Sequence, residues 1–245
     1  MSDAPAIEAR RVGFSFPDGR EALADLSLSV RPGESVGVVG PNGAGKTTFF
    51  LCLIGIHRPS RGGLRVLDLD VADRGALGEI RRRIGLVFQR PDDQLFSARV
   101  YDDVAFGPLN LGLSQEEVRR RTDAALARTQ CTEHAERVSH HLSAGEKRRV
   151  ALACVLAMEP EVLVLDEPTN DLDPRSRRSL AALVGSLRQT RLIASHDLEF
   201  ILQSCGRAIV LDGGRVVADG PVREVLANAR TMQDHGLEVP PSLAR

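Results

Sequence analysis

Three groups of residues have types and spacings that could do chemistry. Gly40-Pro41-Asn42-Gly43-Ala44-Gly45-Lys46-Thr47 fits the pattern GxxxxGK[ST], with an apolar run before it and a helical pattern after it. Glycines at those places let backbone N–H groups turn inward around phosphate oxygens, and a helix N-terminus adds a favourable field. Lys46 would reach the β- and γ-phosphates of a nucleotide, and the Thr47 hydroxyl is placed to coordinate Mg²⁺. Much later, residues 162–165 (VLVL) form an apolar strand ending in Asp166 and Glu167. Parallel α/β sheets place their ligands at strand C-termini, so Asp166 would hold Mg²⁺ there, and Glu167 would serve as general base for water. In Leu142-Ser143-Ala144-Gly145-Glu146, Ser143 and Glu146 make a capping box that opens a helix. That helix needs no function to explain it, yet its open end also suits an anion.

The elements that must position these residues can be read from periodicity. Residues 7–30 alternate and are broken by Pro17-Asp18-Gly19, which predicts two antiparallel strands. Residues 35–39 (SVGVV) read as a buried strand and 46–56 as a helix closed by His57-Arg58-Pro59. Further strands are expected at 64–69 and 84–88. From about 90 to 158 the strand signal disappears, which predicts a helical lobe inserted into an α/β core. Ser114 and Glu117 make a capping box there, opening a helix to about Thr129. Helices at 175–188 and 198–203 alternate with strands at 162–165 and 192–194, so the sheet is expected to be mainly parallel. Two short strands at 208–211 and 215–218 follow, on either side of Asp212-Gly213-Gly214.

Composition excludes several classes. The chain has 245 residues, 42% hydrophobic, and a formal net charge of −1, without the basic excess of a nucleic-acid-binding face. Apolar runs at 47–56 and 150–158 fall short of the roughly 20 residues a membrane span needs. Residues 1–11 lack an apolar segment, so no secretory signal is expected. Cys52, Cys131, Cys154 and Cys205 form no CxxC pair and fall in or beside apolar segments, as buried reduced thiols do. His140 and His141 are adjacent and point apart, so no metal site built by this chain alone is expected. The triplets at 81–83 and 119–121 read as solvated arginine faces, and either could dock a partner. Lys46 and Lys147 are the only lysines among 32 basic residues.

With these residues in hand, the chain resembles the ATP-binding subunit of an ABC transporter along essentially its whole length. The motifs come in that family's order: the phosphate loop, Gln89 after a strand, LSAGE, LVLDEP, Asn170-Asp171-Leu172-Asp173, then Ala194-Ser195-His196-Asp197. The resemblance implies a P-loop NTPase fold of the α/β class in one ABC ATPase domain. Its core would be 1–89 and 159–228, its helical subdomain about 90–158, and its tail 229–245. ATP and Mg²⁺ are the implied cofactors. ATP would contact Gly40, Pro41, Asn42, Gly43, Ala44, Gly45, Lys46, Thr47 and Thr48, with adenine on Phe16. Phe14 shares that strand face, so either ring could stack on adenine, or either could be core. A second cassette, as a homodimer or with a related chain, would pair head to tail and supply Ser143 and Gly145. Mg²⁺ would be held by Thr47, Gln89 and Asp166. Glu167, His196 and Gln89 would be catalytic, with His196 at the γ-phosphate.

The usual signature is LSGGQ, so Ala144 and Glu146 depart from it, and Glu146 is expected to turn back to the cap rather than touch ATP. A narrower resemblance comes from residues 87–96 (VFQRPDDQLF) and 103–108 (DVAFGP), which are similar to the ATPases of energy-coupling-factor importers. Residues 146–153 and 235–238 look most like their cobalt/nickel branch. Implied partners are transmembrane coupling and substrate-binding subunits, with no nucleic acid, at the cytoplasmic face of the cell membrane. A vitamin-specific module and a soluble, non-transport ABC ATPase are the competing readings.

Overall fold

The computed structural model describes residues 4–244, so Met1, Ser2, Asp3 and Arg245, with the parts of the N-terminal and tail readings that rest on them, lie outside the described residues. In chain order the elements are β1 (Ile7–Ser15), β2 (Glu21–Val30), β3 (Ser35–Val39), α1 (Lys46–Leu53), β4 (Arg61–Val66), β5 (Leu69–Asp70) and α2 (Leu77–Arg83). Then come β6 (Ile84–Val87), α3 (Val100–Asn110), α4 (Gln115–Arg128), α5 (Ala144–Leu156), β7 (Val162–Asp166) and α6 (Pro174–Gly185). The chain continues through β8 (Thr190–Ala194), α7 (Leu198–Ser204), β9 (Arg207–Asp212), β10 (Arg215–Pro221), α8 (Val222–Ala227) and α9 (Ala229–Asp234). Two compact units result, one up to residue 81 and from 188 onward, the other from 82 to 187.

In the first unit, β1 pairs antiparallel with β2 and β4, giving the sheet order β2-β1-β4-β5. Alternation drives this: Leu26, Leu28 and Val30 of β2 are buried while Ser27 and Ser29 face out. β3 lies parallel to both β8 and β9, and β10 returns antiparallel to β9. Such a strand has no solvent face, which is why SVGVV is apolar without alternation. Phe49 and Phe50 of α1 are fully buried, each contributing roughly 2–3 kcal/mol.

Several boundaries differ from expectation for local reasons. The helix expected over 46–56 ends at Leu53, because Gly55 (φ 66) donates to Cys52 O and Ile56 N to Leu51 O. That pairing is a Schellman close, three residues before the proline. The strand expected over 64–69 is split, since Leu67 and Asp68 both take left-handed φ and turn β4 into β5. β1 stops at Ser15, and Phe16 opens the turn instead, donating to Arg20 O at 2.9 Å. α2, α8 and α9 were not foreseen; each is seven residues or shorter, too short for a helical period to show.

The second unit holds the parallel pair β6–β7 and the helices α3, α4, α5 and α6. α5 packs onto β6 where Gly85 leaves room: a Cβ there would lie 2.1 Å from Val155 Cγ1. Of the two expected capping boxes, that at Ser143 is complete. At Ser114 only half forms: its Oγ accepts from Glu117 N, while the Glu117 carboxylate turns to Arg120 and Arg121 at 2.7 Å. The arginine triplets are therefore not wholly solvated. Arg121 is half-buried on Glu117 and Glu159, and Arg83 bonds Glu161 at 2.6 Å.

The four cysteines are unbridged; Cys154 is half-buried and the others buried. Burial pushes the Cys52 thiol up to about 12 and Cys205 up to about 11, and raises Cys131 and Cys154. Thiolate is the nucleophile, and at pH 8 a pKa of 11 leaves about one thiol in a thousand ionised. An aromatic disulfide reagent at pH 8 is therefore expected to titrate less than one thiol in minutes on native protein, and all four after denaturation. Two or more fast thiols on native protein would contradict this packing.

Candidate functional site

The loop from β3 to α1 is built by three glycines at positive φ: Gly40 at 152°, Gly43 at 83° and Gly45 at 103°. A Cβ on Gly40 would lie 2.0 Å from Leu211 O and one on Gly45 2.5 Å from Ala22 O. Gly43 has nothing near it, so its backbone conformation alone calls for glycine. Ala44 N donates to Pro41 O at 3.2 Å, and Gly214 N donates to Ala44 O at 3.1 Å, fastening the loop to the β9–β10 turn. Lys46 is only 8% exposed, and its Nζ donates to Gly40 O at 2.6 Å and Pro41 O at 3.1 Å. Asn42 and Thr47 are exposed, Pro41 is half-buried and Thr48 buried.

Phe14 stacks on His57 with centroids 4.7 Å apart, while Phe16 meets both rings edge-on. The Arg20 guanidinium lies 4.5 Å over the Phe16 ring. One face of Phe14 is thus taken by an aromatic neighbour, whereas the Phe16 face carries an exposed, displaceable cation. His196 is exposed between two restraints: Asp197 N donates to Ser195 Oγ at 3.0 Å, and Asp197 Oδ1 accepts from Phe200 N to cap α7.

In the second unit, β7 is buried throughout and ends on Asp166. Glu167 follows, 8% exposed and at φ 47°, a left-handed backbone costing roughly 1 kcal/mol for a residue with a Cβ. The turn continues with Asn170 N donating to Glu167 O and Asp171 also left-handed. Asp173 then caps α6, accepting from Arg175 N and Ser176 N. Gln89 is exposed just beyond β6.

Ser143 caps α5, and Glu146 Oε2 accepts from both Ser143 N and Ser143 Oγ at 2.7 Å. Its other oxygen is 3.2 Å from His134 Nε2 and accepts from Arg137 at 3.5 Å. The Ser143 hydroxyl first and its amide second hold the Glu146 carboxyl below the usual range. The carboxylate therefore does turn back to the cap, and two basic side chains accompany it. Gly145 has a packing reason beyond any ligand, because a Cβ there would lie 2.7 Å from Ser176 Oγ.

Other neighbours went unforeseen. Lys147 pairs with Asp92 at 2.7 Å. Arg148, not singled out by motif, is 3% exposed. Its signal was available: it shares a helical face with the buried Leu152 and Val155, at spacings of four and seven.

A family model described as "ABC transporter" matches residues 23–170. The energy-coupling factor transporter ATP-binding protein EcfA of Methanothermobacter thermautotrophicus is 44% identical, over 96% of this chain and 76% of that protein. The structure of cbiO1 from Clostridium perfringens, part of the ABC transporter complex cbiONQ, superposes with a TM-score of 0.85 at 37% identity. That match covers 95% of this chain and 94% of the other. A dimeric ATP-binding cassette in a post-hydrolysis state, bound to ADP and Pi, superposes with a TM-score of 0.80 at 26% identity, covering 88% of this chain and 98% of that one. The glycine-built phosphate loop, the motif order and this family match lead to one conclusion: the chain belongs to the ABC transporter family and has its ATP-binding cassette fold.

Proposed function

We propose that the chain is the ATP-hydrolysing subunit of an energy-coupling-factor importer, acting at the cytoplasmic face of the cell membrane and driving cobalt or nickel uptake. The observation that carries this is the likeness to EcfA and cbiO1 over nearly the whole chain. An apolar patch supports a membrane partner: Phe96, Phe106 and Leu109 are 62%, 47% and 56% exposed, with the two rings edge-to-face at 4.9 Å. None of the described helices is long and apolar enough to cross a membrane; the partners proposed are transmembrane coupling and substrate-binding subunits.

The chain's residues fit ATP and Mg²⁺. Gly40, Gly43 and Gly45 hold the positive φ that lets the loop's N–H groups turn inward, and Thr47, Gln89 and Asp166 offer the hard oxygen donors Mg²⁺ prefers. When bound, Mg²⁺ supplies charge neutralisation at the β- and γ-phosphate oxygens. Gly40, Pro41, Asn42, Gly43, Ala44, Gly45, Lys46, Thr47 and Thr48 hold the phosphates, and Phe16 exchanges Arg20 for adenine. A second copy of the chain pairs head to tail and supplies Ser143 and Gly145 to the γ-phosphate. Glu167 accepts a proton from the attacking water as its oxygen bonds to the γ-phosphorus and the bond to ADP breaks. Gln89 and His196 orient that water and the γ-phosphate.

The test is co-expression with candidate coupling and substrate-binding subunits, purification from membranes, and reconstitution in vesicles. The expected result is co-purification and ATP-dependent accumulation of Co²⁺ or Ni²⁺. Accumulation of a vitamin instead, or no membrane association, would overturn the proposal at different levels.

A further inference from the structure

Arg148 is a cation buried in the second unit whose bonds go to main-chain carbonyls of two separate loops. Its Nη1 donates to Gln89 O at 2.7 Å and Phe88 O at 3.2 Å, and Nη2 reaches Asn170 O at 3.4 Å. Its Nε is buried without a hydrogen-bond partner, as is Asn170 Oδ1. Burial pulls the guanidinium pKa down, and Asp171, Asp166 and Glu167 oppose that through space. An arginine remains charged regardless, so a site that buries one must gain by its geometry.

That geometry is specific. Arg148 faces a cleft of about 490 Å³ lined also by Gln89, Asp92, Ala144, Lys147 and Asn170. Neighbouring side chains fasten the segment after β6, residues 88–94, to α5: Lys147 pairs with Asp92, and Gln94 Nε2 donates to Ala151 O at 2.7 Å. Of these three side chains, Arg148 also reaches the turn after Glu167, because a planar guanidinium can bridge carbonyls that a single ammonium cannot span. Resting on the hydrolysis reading above, we infer that Arg148 is a positioning residue, which couples the helix opened by Ser143 to Gln89 and to the Asn170-Asp171 turn. Movement of α5 on dimer closure is thereby passed to the main chain of both loops together.

The test compares wild type, Arg148→Gln and Arg148→Lys in the full chain, measuring kcat, the Kd of a fluorescent ATP analogue with Mg²⁺, and Tm. For Arg148→Gln the expected result is a fall in kcat of tenfold or more with Kd within threefold, since the phosphate loop belongs to the other unit. Arg148→Lys keeps the charge and one carbonyl contact, and is expected to recover part of the loss; if the glutamine variant does not fold, the lysine variant alone should lose threefold or more in kcat. The inference is overturned if kcat stays within twofold in the folded variants, or if kcat and Kd shift by the same factor. Absence of turnover in wild type would instead sink the hydrolysis reading, so the two failures are distinguishable.

Discussion

Glu167→Gln is expected to lower ATP turnover by about 10²–10⁴-fold, the usual worth of a general base, while ATP binding persists. The argument begins with the backbone. Glu167 follows the buried strand β7 in a left-handed conformation and is itself only 8% exposed. Strain of that kind persists where surrounding structure fixes it, and here Asn170 N closes the turn onto Glu167 O. Glutamine has the same shape and keeps that turn, so the substitution removes the proton acceptor and little else. ATP should then remain bound without being cleaved, and the closed pair of cassettes should accumulate. Phosphate release and size-exclusion chromatography with and without Mg-ATP check both halves. Wild-type turnover would remove Glu167 from the role of base, and unchanged turnover with no dimer would remove the trapping argument too.

Much of the scaffold was legible because each element has its own chemical mark. The strand SVGVV is apolar throughout because β3 is flanked on both sides by parallel partners. The cap at Ser143 was visible because a serine and a glutamate three apart satisfy two backbone donors reciprocally. The same pattern misled at Ser114, where the glutamate had arginines three and four residues on and took them instead. Glu146 has no such pair, with Val150 four residues on, and its carboxylate stays with the cap. Bonds between distant segments were less visible still. That Gly214 fastens the phosphate loop, or that Lys147 finds Asp92, depends on chain crossings that no local period encodes. Arg148 lies between these cases: its place on the buried helix face follows from spacing, but the carbonyls it binds belong to two remote turns.

Lys46→Ala should weaken ATP binding about 100-fold or more. A charged hydrogen bond is worth about 1.5–3 kcal/mol, and a lysine serving two phosphates loses more than one. The neighbourhood of Lys46 says more than the motif does. Its ammonium is buried, and it bridges the carbonyls of Gly40 and Pro41, the first residues of the loop it would serve. A compact donor with three hydrogens can release one or both of those carbonyls and turn toward arriving phosphates. A planar guanidinium is wider and fixed in its fork, and Gly40 has no slack, with Leu211 O already 2.0 Å from where its Cβ would be. Lys46→Arg is therefore expected to fail nearly as badly as Lys46→Ala, although it preserves the charge. Among the Lys and Arg positions of this chain only Lys46 and Lys147 are lysine, and at Lys46 size is the property that arginine would not match. Titration of a fluorescent nucleotide, with Tm as the control for folding, decides the point. An arginine variant that binds ATP within threefold of wild type would show that the loop accepts any cation, and the size argument would fall.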